Sequence, residues 1–313
     1  MNLQQLRYVR ETVRSGLSLT LAAERLHTSQ PGVSRQIRQL EEELGVEIFV
    51  RHGKRFTGLT EPGRAIAQIV ERVLQETENL RAAAADFRDQ DAGGLTIAVT
   101  HTQARYALPS VVAEFKRRYP RVHLSLLQGY PSQIAEMTLA GTADVGIATE
   151  ALANYPRLLA LPGYTWQHGV IVPKDHPLTQ ERRLSLEALA RYPLITYDAA
   201  FAGRTHIDEA FAGRDMQPDI VLAAIDSDVI KTYVELGLGV GIVAAMAFDP
   251  RRDVDLRMLD AGHLFRSNTT RIALLKGRRL RRFTYAFIEL FAPRLTRSVV
   301  EGAMAGDIES YEL

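Results

Sequence analysis

The chain of 313 residues is 46% hydrophobic, has a formal net charge of +1 and contains no cysteine. This length allows two or more domains with sizeable cores, and the near-neutral charge means that any nucleic-acid-binding surface must be local. The lack of cysteine excludes disulfides, cysteine-ligated zinc and thiol nucleophiles. Because the sequence has no secretion-signal pattern and no apolar run of about 18 residues, we expect a cytoplasmic protein that does not span a membrane.

The first 60 residues predict a helix-turn-helix. Two short stretches, 19–26 and 33–44, place apolar side chains at helical spacing, and the polar segment HTSQ separates them. Pro31 fits the opening turn of the second helix, where its missing N–H costs nothing. Helices joined in this way can place the second one in the major groove of DNA. The apolar positions are Leu19, Ala22, Ala23, Leu26, Val33, Ile37, Leu40 and Leu44.

The second helix carries polar side chains on the face turned away from its apolar positions. Glutamine and arginine make bidentate contacts to adenine and guanine edges, and hydroxyls of the turn suit a phosphate. The following segment VEIFVRHGKRFTGLT predicts a β-hairpin wing with a basic tip. The alternative is that the arginines are ordinary surface charge, paired with Glu41, Glu42 and Glu43. The candidate DNA-contacting residues are Thr28, Ser29, Gln30, Pro31, Ser34, Arg35, Arg38, Arg51, Lys54 and Arg55.

One long helix is predicted from Glu61 to about Gln90, with Pro62 in its first turn and DAGG at its end. Its apolar residues form a narrow stripe on an otherwise polar helix. A half-polar helix of this length has little reason to stand alone, so the stripe predicts pairing with a second copy of the chain. The stripe consists of Ile66, Ile69, Val73, Thr77, Leu80, Ala84 and Phe87.

After Gly94, apolar runs alternate with helical patterns, which predicts parallel sheets covered by helices on both faces. The pattern occurs in two sets, and the segment RIALLKG with a helix near Phe283 to Arg294 returns to the first set. We therefore expect a winged helix-turn-helix at 1–60, a linker helix at 61–92 and an α/β domain at 93–313. Its lobes are expected at about 93–164 with 266–300, and at about 165–265. The final GAMAGDIESYEL is expected to be a frayed acidic tail.

Uncharged polar side chains stand where predicted strands end. Thr100, Thr102 and Gln103 follow the strand LTIAV, and Thr149 ends the strand DVGIAT. Ligands of open α/β sheets bind beyond the carboxyl ends of the strands, and helix N-termini there favour an anion. These residues therefore predict a site for a small oxyanion. The alternative is that Thr102 is a helix N-cap and Thr149 a turn residue.

Residues 1–90 resemble the winged helix-turn-helix and linker helix of LysR-type transcriptional regulators. The most specific stretches are TSQPGVSRQIRQLEEELG and the following IFVRHGKRFTGLTEPG. The resemblance implies an effector-binding domain with the fold of type 2 periplasmic binding proteins. It also implies a homodimer through the linker helix, usually extended to a tetramer, with promoter DNA and RNA polymerase as partners.

Four later segments resemble the members of this family that control cysteine biosynthesis: AVTHTQARYALP, GIATE, FAGRTHIDEAF and DSDVIKTYVELGLGVGIVAAMAFDP. That resemblance implies a site for sulfate, thiosulfate or a related oxyanion and a response to acetylserine. The anion-binding positions match Thr100, Thr102, Gln103 and Thr149. One position departs: Ala202 stands before the Gly-Arg pair where those relatives usually carry threonine, which removes one hydroxyl from the expected site.

The rival interpretation is an enzyme or a solute receptor on the same α/β fold, with the N-terminal helices as a dimerisation arm. The sequence has no paired acid/base or nucleophile arrangement, and no histidine lies at metal-ligand spacing from another histidine or a carboxylate cluster. We therefore expect no catalytic residue, no cofactor and no metal, and the N-terminal residues favour the regulator.

Overall fold

The computed structural model describes residues 1–53 and 55–306 and divides into two compact units, Met1–Arg88 and a second that begins at Asp89. The first unit is helical with one antiparallel hairpin, β1–β2. Its elements are α1 (Leu3–Arg14), α2 (Leu19–Arg25), α3 (Gln30–Leu44), β1 (Phe49–His52), β2 (Arg55–Leu59) and α4 (Glu61–Arg88).

Local sequence sets the bounds of the helix pair α2–α3. The Ser18 side chain accepts the Leu21 N–H, and the Ser29 side chain accepts the Gly32 N–H, so a serine caps the N-terminus of each helix. Gly45 ends α3 in the left-handed region at φ 69°, which glycine adopts without a steric penalty. The core that these helices form contains Val33, Ile37, Leu40, Ile48 and Phe49.

The helix α4 uses two different apolar faces. Val70 and Leu74, which lie outside the predicted stripe, are buried in the core of the first unit. The stripe residues Leu80 and Phe87 are 72% and 88% exposed. The predicted stripe therefore combines Ile66, which packs against the core of the first unit, with residues that are exposed farther along the helix, and it leaves out Val70 and Leu74.

The second unit contains two five-stranded sheets. We call the part built on the first sheet the first lobe and the part built on the second sheet the second lobe. The first sheet has the order β4-β3-β5-β12-β6. The first lobe contains β3 (Gly93–Val99), α5 (Leu108–Arg118), β4 (Val122–Gln128), α6 (Pro131–Ala140), β5 (Val145–Ala148), β6 (Leu158–Trp166), β12 (Asn268–Leu275), α10 (Arg282–Phe291) and α11 (Arg297–Ala305).

The second sheet has the order β11-β7-β10-β8-β9. Its lobe contains β7 (His168–Pro173), α7 (Leu186–Leu189), β8 (Leu194–Tyr197), α8 (Ala202–Ala212), β9 (Ile220–Ala224), α9 (Ser227–Glu235), β10 (Val240–Ala244) and β11 (Leu256–Asp260). Both sheets are mixed, so the expected parallel pairing holds for only part of each sheet. The strands β4-β3-β5 and β10-β8-β9 are parallel, whereas β6, β7, β11 and β12 pair antiparallel because the chain crosses between lobes there and returns.

The frayed tail was expected to begin at residue 302, but the last helix extends beyond that residue. Residues 302–305 belong to the helix α11, and its residues Val300 and Ala303 are buried in the core of the first lobe together with Phe287. The remainder of the expected tail, residues 307–313, lies outside the described residues. Among the described helices, none has both the length and the apolar character that a membrane crossing requires.

Candidate functional site

The helix α3 presents its polar face beside the hairpin β1–β2. A groove of about 570 Å³ lies between them, lined by Gln30, Pro31, Ser34, Arg35, Arg38 and Arg51 together with Phe56 and neighbouring residues. Among the candidate DNA-contacting residues, Thr28, Ser29, Pro31, Arg35, Arg38 and Arg55 are exposed, and Gln30, Ser34 and Arg51 are half-buried. Lys54 lies outside the described residues. The helix-turn-helix thus gathers nine of the ten candidates on or beside one helix face and its hairpin.

The arginines of this surface fall into two groups. Arg51 donates to the carboxylate of Glu41, and its guanidinium lies 4.9 Å from the centre of the Phe56 ring. Within residues 1–53 and 55–306, no ion pair involves Arg35 or Arg38. The alternative of a paired surface charge therefore describes Arg51, whereas Arg35 and Arg38 keep their charge available on the exposed face of α3.

Glu41 holds the hairpin against α3. It is 6% exposed, and its Oε1 accepts the N–H of Ile48 at 2.8 Å and the N–H of Phe49 at 3.2 Å. The Phe49 and Phe56 rings stack at 4.4 Å and link the two hairpin strands. Sequence reasoning treated Glu41 only as a partner for surface arginines. It accepts two backbone N–H groups because the turn after Gly45 places the start of the hairpin next to Glu41, and the sequence alone did not predict that arrangement.

The predicted anion-binding residues stand at one edge of the first sheet. The strands β3 and β5 are parallel neighbours with Val99 opposite Ile147, so Thr100 and Thr149 follow adjacent strand ends. The Thr100 N–H donates to the Ile147 carbonyl at 3.3 Å, and its own carbonyl accepts the Ala104 N–H at 3.0 Å. Both threonines are buried. The topology therefore brings together side chains that are 49 residues apart in the sequence.

The alternative of a helix N-cap is wrong for Thr102, whereas Thr149 does lie at a turn, as its alternative expects. Thr102 has helical backbone angles and makes no capping hydrogen bond. Thr149 precedes a 3-10 turn, again without a capping hydrogen bond. Its hydroxyl is buried and has no hydrogen-bond partner among the described residues. A buried hydroxyl without a hydrogen-bond partner costs free energy. A ligand that accepts a hydrogen bond from this hydroxyl removes that cost.

Gln103 has a different environment. It begins a π-helical turn, Gln103–Ala107, between the end of β3 and the helix α5. Its Oε1 accepts the Tyr164 hydroxyl and its Nε2 donates to the Thr270 hydroxyl at 3.1 Å. One N–H of the amide remains to donate to a ligand. The remaining candidate, Ala202, is the first residue of α8, and its side chain lies outside the described residues.

Three further buried polar atoms occur where the chain crosses between the lobes, and the sequence did not reveal them. Trp166 Nε1, His168 Nε2 and Asn268 Oδ1 have no hydrogen-bond partner among the described residues. The Trp166 and His168 rings are 5.2 Å apart, and Trp166 is paired with Asn268 between β6 and β12. Burial, with a smaller contribution from the charge of His206, lowers the pKa of His168 to about 3. These three side chains come together only because the chain passes between the two lobes at this point, and no local sequence pattern predicts that arrangement.

His101, Asp226 and Asp228 lie with potential ligand atoms within 4.8 Å of one another. Spacing along the sequence does not reveal this cluster, because His101 is far from the two aspartates in the chain. The cluster nevertheless suits a cation poorly. Asp228 already forms ion pairs with Arg105 at 3.4 Å and Lys231 at 3.3 Å, so two positive charges stand where a metal ion would bind.

Two family descriptions match the chain and cover nearly all of it. "Bacterial regulatory helix-turn-helix protein, lysR family" matches residues 3–64, and "LysR substrate binding domain" matches residues 88–296. The chain belongs to the LysR family of bacterial transcriptional regulators. This confirms the family and the fold class expected from the sequence, and the rival interpretation as an enzyme is set aside.

Several LysR-family proteins are similar to this chain over most of their own length. The chain is 59% identical over 313 residues to the HTH-type transcriptional regulator CysB of Burkholderia cenocepacia, covering all of both proteins. It is 57% identical to the HTH-type transcriptional regulator SsuR of the same organism, covering 97% of this chain and 99% of SsuR. The crystal structure of the cofactor-binding domain of the Cbl transcriptional regulator matches with a TM-score of 0.65 and 48% identity, covering 67% of this chain and 92% of that one.

Proposed function

We propose that this LysR-family regulator acts in the cytoplasm on promoters of sulfur-assimilation and cysteine-biosynthesis genes, and that a small sulfur-containing effector controls it. Its likeness to CysB, SsuR and Cbl supports the choice of genes. The observation that carries the effector is the buried, unpartnered hydroxyl of Thr149 beside Thr100 at one sheet edge. Hydroxyls and an amide bind an oxyanion without an opposing charge, and each such hydrogen bond contributes about 1.5–3 kcal/mol.

In this proposal α3 enters the major groove. Gln30, Ser34, Arg35 and Arg38 face base edges, and each good bidentate contact discriminates between bases by about 1–3 kcal/mol. Thr28, Ser29 and the exposed Arg55 contact phosphates, as does Lys54, while Pro31 sets the start of the helix. Arg51 acts through its ion pair with Glu41, which positions the hairpin.

The exposed stripe of α4 supports a homo-oligomer. Ile69, Val73 and Leu80 line an apolar groove of about 590 Å³ along the helix, which a second copy of the same helix would fill. Assembly into a dimer or tetramer places two recognition helices on one DNA site. We also propose that the DNA-bound regulator contacts RNA polymerase.

The effector site is tested by titrating the full chain with sulfate, thiosulfate and acetylserine in a calorimeter. Thr149→Val keeps the shape of the side chain and removes the hydroxyl. We expect the wild type to bind at least one of the three and Thr149→Val to lose about tenfold or more in affinity, the loss expected for one hydrogen bond to a charged acceptor. Binding that is equally tight in both proteins would place the anion elsewhere. A wild type that binds none of the three would indicate a LysR regulator of another pathway.

The DNA surface is tested with Arg35→Ala, and Arg25→Ala in the neighbouring helix serves as the control because Arg25 pairs with Glu11. We expect Arg35→Ala to weaken binding to a sulfur-assimilation promoter more than binding to random duplex. Equal losses on both DNAs would mean that Arg35 contacts only phosphates.

A further inference from the structure

A polar cluster joins the two lobes beside the predicted anion site. From the first lobe, the Tyr106 hydroxyl donates to Asp228 Oδ1 of α9 at 2.6 Å. From the second lobe, Lys231 Nζ lies 3.3 Å from the same carboxylate oxygen and 5.3 Å from the centre of the Tyr106 ring. Burial and the hydrogen bond to Asp228 raise the pKa of Tyr106 to about 12, so its hydroxyl stays a donor throughout the physiological pH range.

The second-lobe side of this cluster is rigidly held. Lys231 is 8% exposed, and its Nζ donates to the Ala247 carbonyl at 3.0 Å and to Asp253 Oδ1 at 3.0 Å. Asp253 is itself buried and accepts the Asp249 N–H at 2.8 Å. Burial alone would raise the pKa of Asp228, but the Tyr106 hydrogen bond and the Lys231 charge outweigh it and lower that pKa. The carboxylate is therefore ionised and fixed when Tyr106 reaches it.

The first-lobe side belongs to the turn that carries the predicted anion-binding residues. Tyr106 lies in the same π-helical turn as Gln103 and four residues after Thr102. Such turns are rare and occur frequently at functional sites. Gln103 attaches one end of the turn to the first lobe through Tyr164 and Thr270, whereas Tyr106 attaches the other end to the second lobe. A movement of the lobes that broke the Tyr106–Asp228 contact would therefore pull on the turn between Thr102 and Ala107.

We propose that Tyr106, Asp228 and Lys231 form an interlobe latch that positions the anion-binding turn, so that the affinity for the anion depends on residues that do not touch it. The inference rests on the proposed anion site. When the competent arrangement is populated only in part, the apparent dissociation constant rises in proportion. Loss of a hydrogen bond to a charged partner changes an equilibrium constant by about tenfold or more, so latch variants are expected to lose about tenfold in anion affinity.

The test uses the full chain, titrated with sulfate and thiosulfate in a calorimeter. Tyr106→Phe removes only the hydroxyl, and Asp228→Asn removes the charge. Tyr233→Phe, at a tyrosine that is 37% exposed on the same helix α9, is the matched control. We expect each latch variant to bind at least about tenfold more weakly, the double variant no more weakly than Asp228→Asn, which also breaks the ion pair with Arg105 at 3.4 Å, and the control to bind normally. Additive losses in the double variant would mean that the two residues act separately, and the latch would be overturned.

A second readout does not depend on the anion. Trp166 is the sole tryptophan and ends β6 where the chain crosses between the lobes. We expect acrylamide to quench its fluorescence more strongly in ligand-free Tyr106→Phe than in the wild type or in Tyr233→Phe. If the wild type binds the anions and Tyr106→Phe matches it in affinity and quenching, the latch is wrong and the anion site stands. If no anion binds the wild type but quenching rises in Tyr106→Phe, the lobes are latched and the proposed ligand is wrong.

Discussion

Glu41 provides the sharpest test of how the DNA-binding unit is held together. In Glu41→Ala, the N–H groups of Ile48 and Phe49 lose their side-chain acceptor and Arg51 loses its partner. All three groups lie at the junction between the end of α3 and the hairpin. Comparison with Glu41→Gln, which keeps the methylenes and one acceptor oxygen, isolates the contribution of the polar junction.

The magnitude follows from burial. Each buried N–H left without an acceptor costs about 1–3 kcal/mol, and Arg51, whose side chain is 25% exposed, loses a partner but keeps access to water. These costs overlap because a single carboxylate serves all three groups, so we expect about 3–5 kcal/mol in total. Typical stability of about 0.05–0.15 kcal/mol per residue gives about 4–13 kcal/mol for a unit that spans Met1–Arg88. Glu41→Ala is therefore expected to remove a large fraction of that stability, whereas Glu41→Gln keeps an acceptor oxygen and loses less.

The assay is urea unfolding of the full chain, followed by far-ultraviolet circular dichroism for the whole protein and by Trp166 fluorescence for the second unit. Glu42→Ala, at the exposed neighbour of Glu41, is the control. We expect Glu41→Ala to shift the dichroism transition of the helical first unit to lower urea and to leave the fluorescence transition unchanged. Promoter binding is expected to fall with it. The reasoning is refuted if Glu41→Ala and Glu42→Ala unfold at the same urea concentration.

Three further predictions concern other parts of the chain. Because the folded-state pKa of His168 is about 3, the unfolded state binds an additional proton below about pH 6.5. The contribution of neutral His168 to the free energy of unfolding is therefore fully present above that pH, and it falls on acidification by up to about 1.4 kcal/mol per pH unit. His168→Gln should remove this contribution to the pH dependence of stability measured by urea unfolding. Leu80→Glu places a charge on the exposed stripe of α4 and should shift the chain toward monomers in sedimentation velocity, whereas Arg81→Gln should not. Ala202→Thr restores a hydroxyl at the start of α8 and should tighten sulfate binding about tenfold in calorimetry, and unchanged affinity would remove Ala202 from the site.

Local sequence patterns predicted the helices and strands, and they predicted that candidate ligand-binding residues lie at the ends of strands. The helices α2 and α3 follow from apolar spacing, Ser29 and Pro31, all within a few residues of one another. The sequence predicts that Thr100 and Thr149 lie close together, because parallel neighbouring strands end at the same sheet edge. The first inference needs only the sequence within and around a helix, and the second needs only the order of strands in an α/β domain.

The contacts that hold elements together were not predicted, because their partners are distant in the sequence. Tyr106 and Asp228 are separated by 122 residues, and no spacing rule links them. The unpartnered atoms of His168 and Asn268 arise from the crossover between the lobes, which also makes both sheets mixed. Val70 and Leu74 were missed for a related reason, since a single helix carries two apolar faces and the sequence does not say which one meets its own core.

The arginines of the first unit show why residue type alone does not assign a role. Arg35 and Arg51 have the same chemistry and line the same groove. Arg51 lies over Phe56 and against a carboxylate that is itself buried by the hairpin, so withdrawing it to contact DNA would leave Glu41 charged in a nonpolar setting. Arg35 faces solvent and would leave no buried charge behind if it bound a base. In the proposed DNA complex, the cost of breaking existing contacts, rather than the presence of a guanidinium, would therefore favour Arg35 over Arg51 for reading bases.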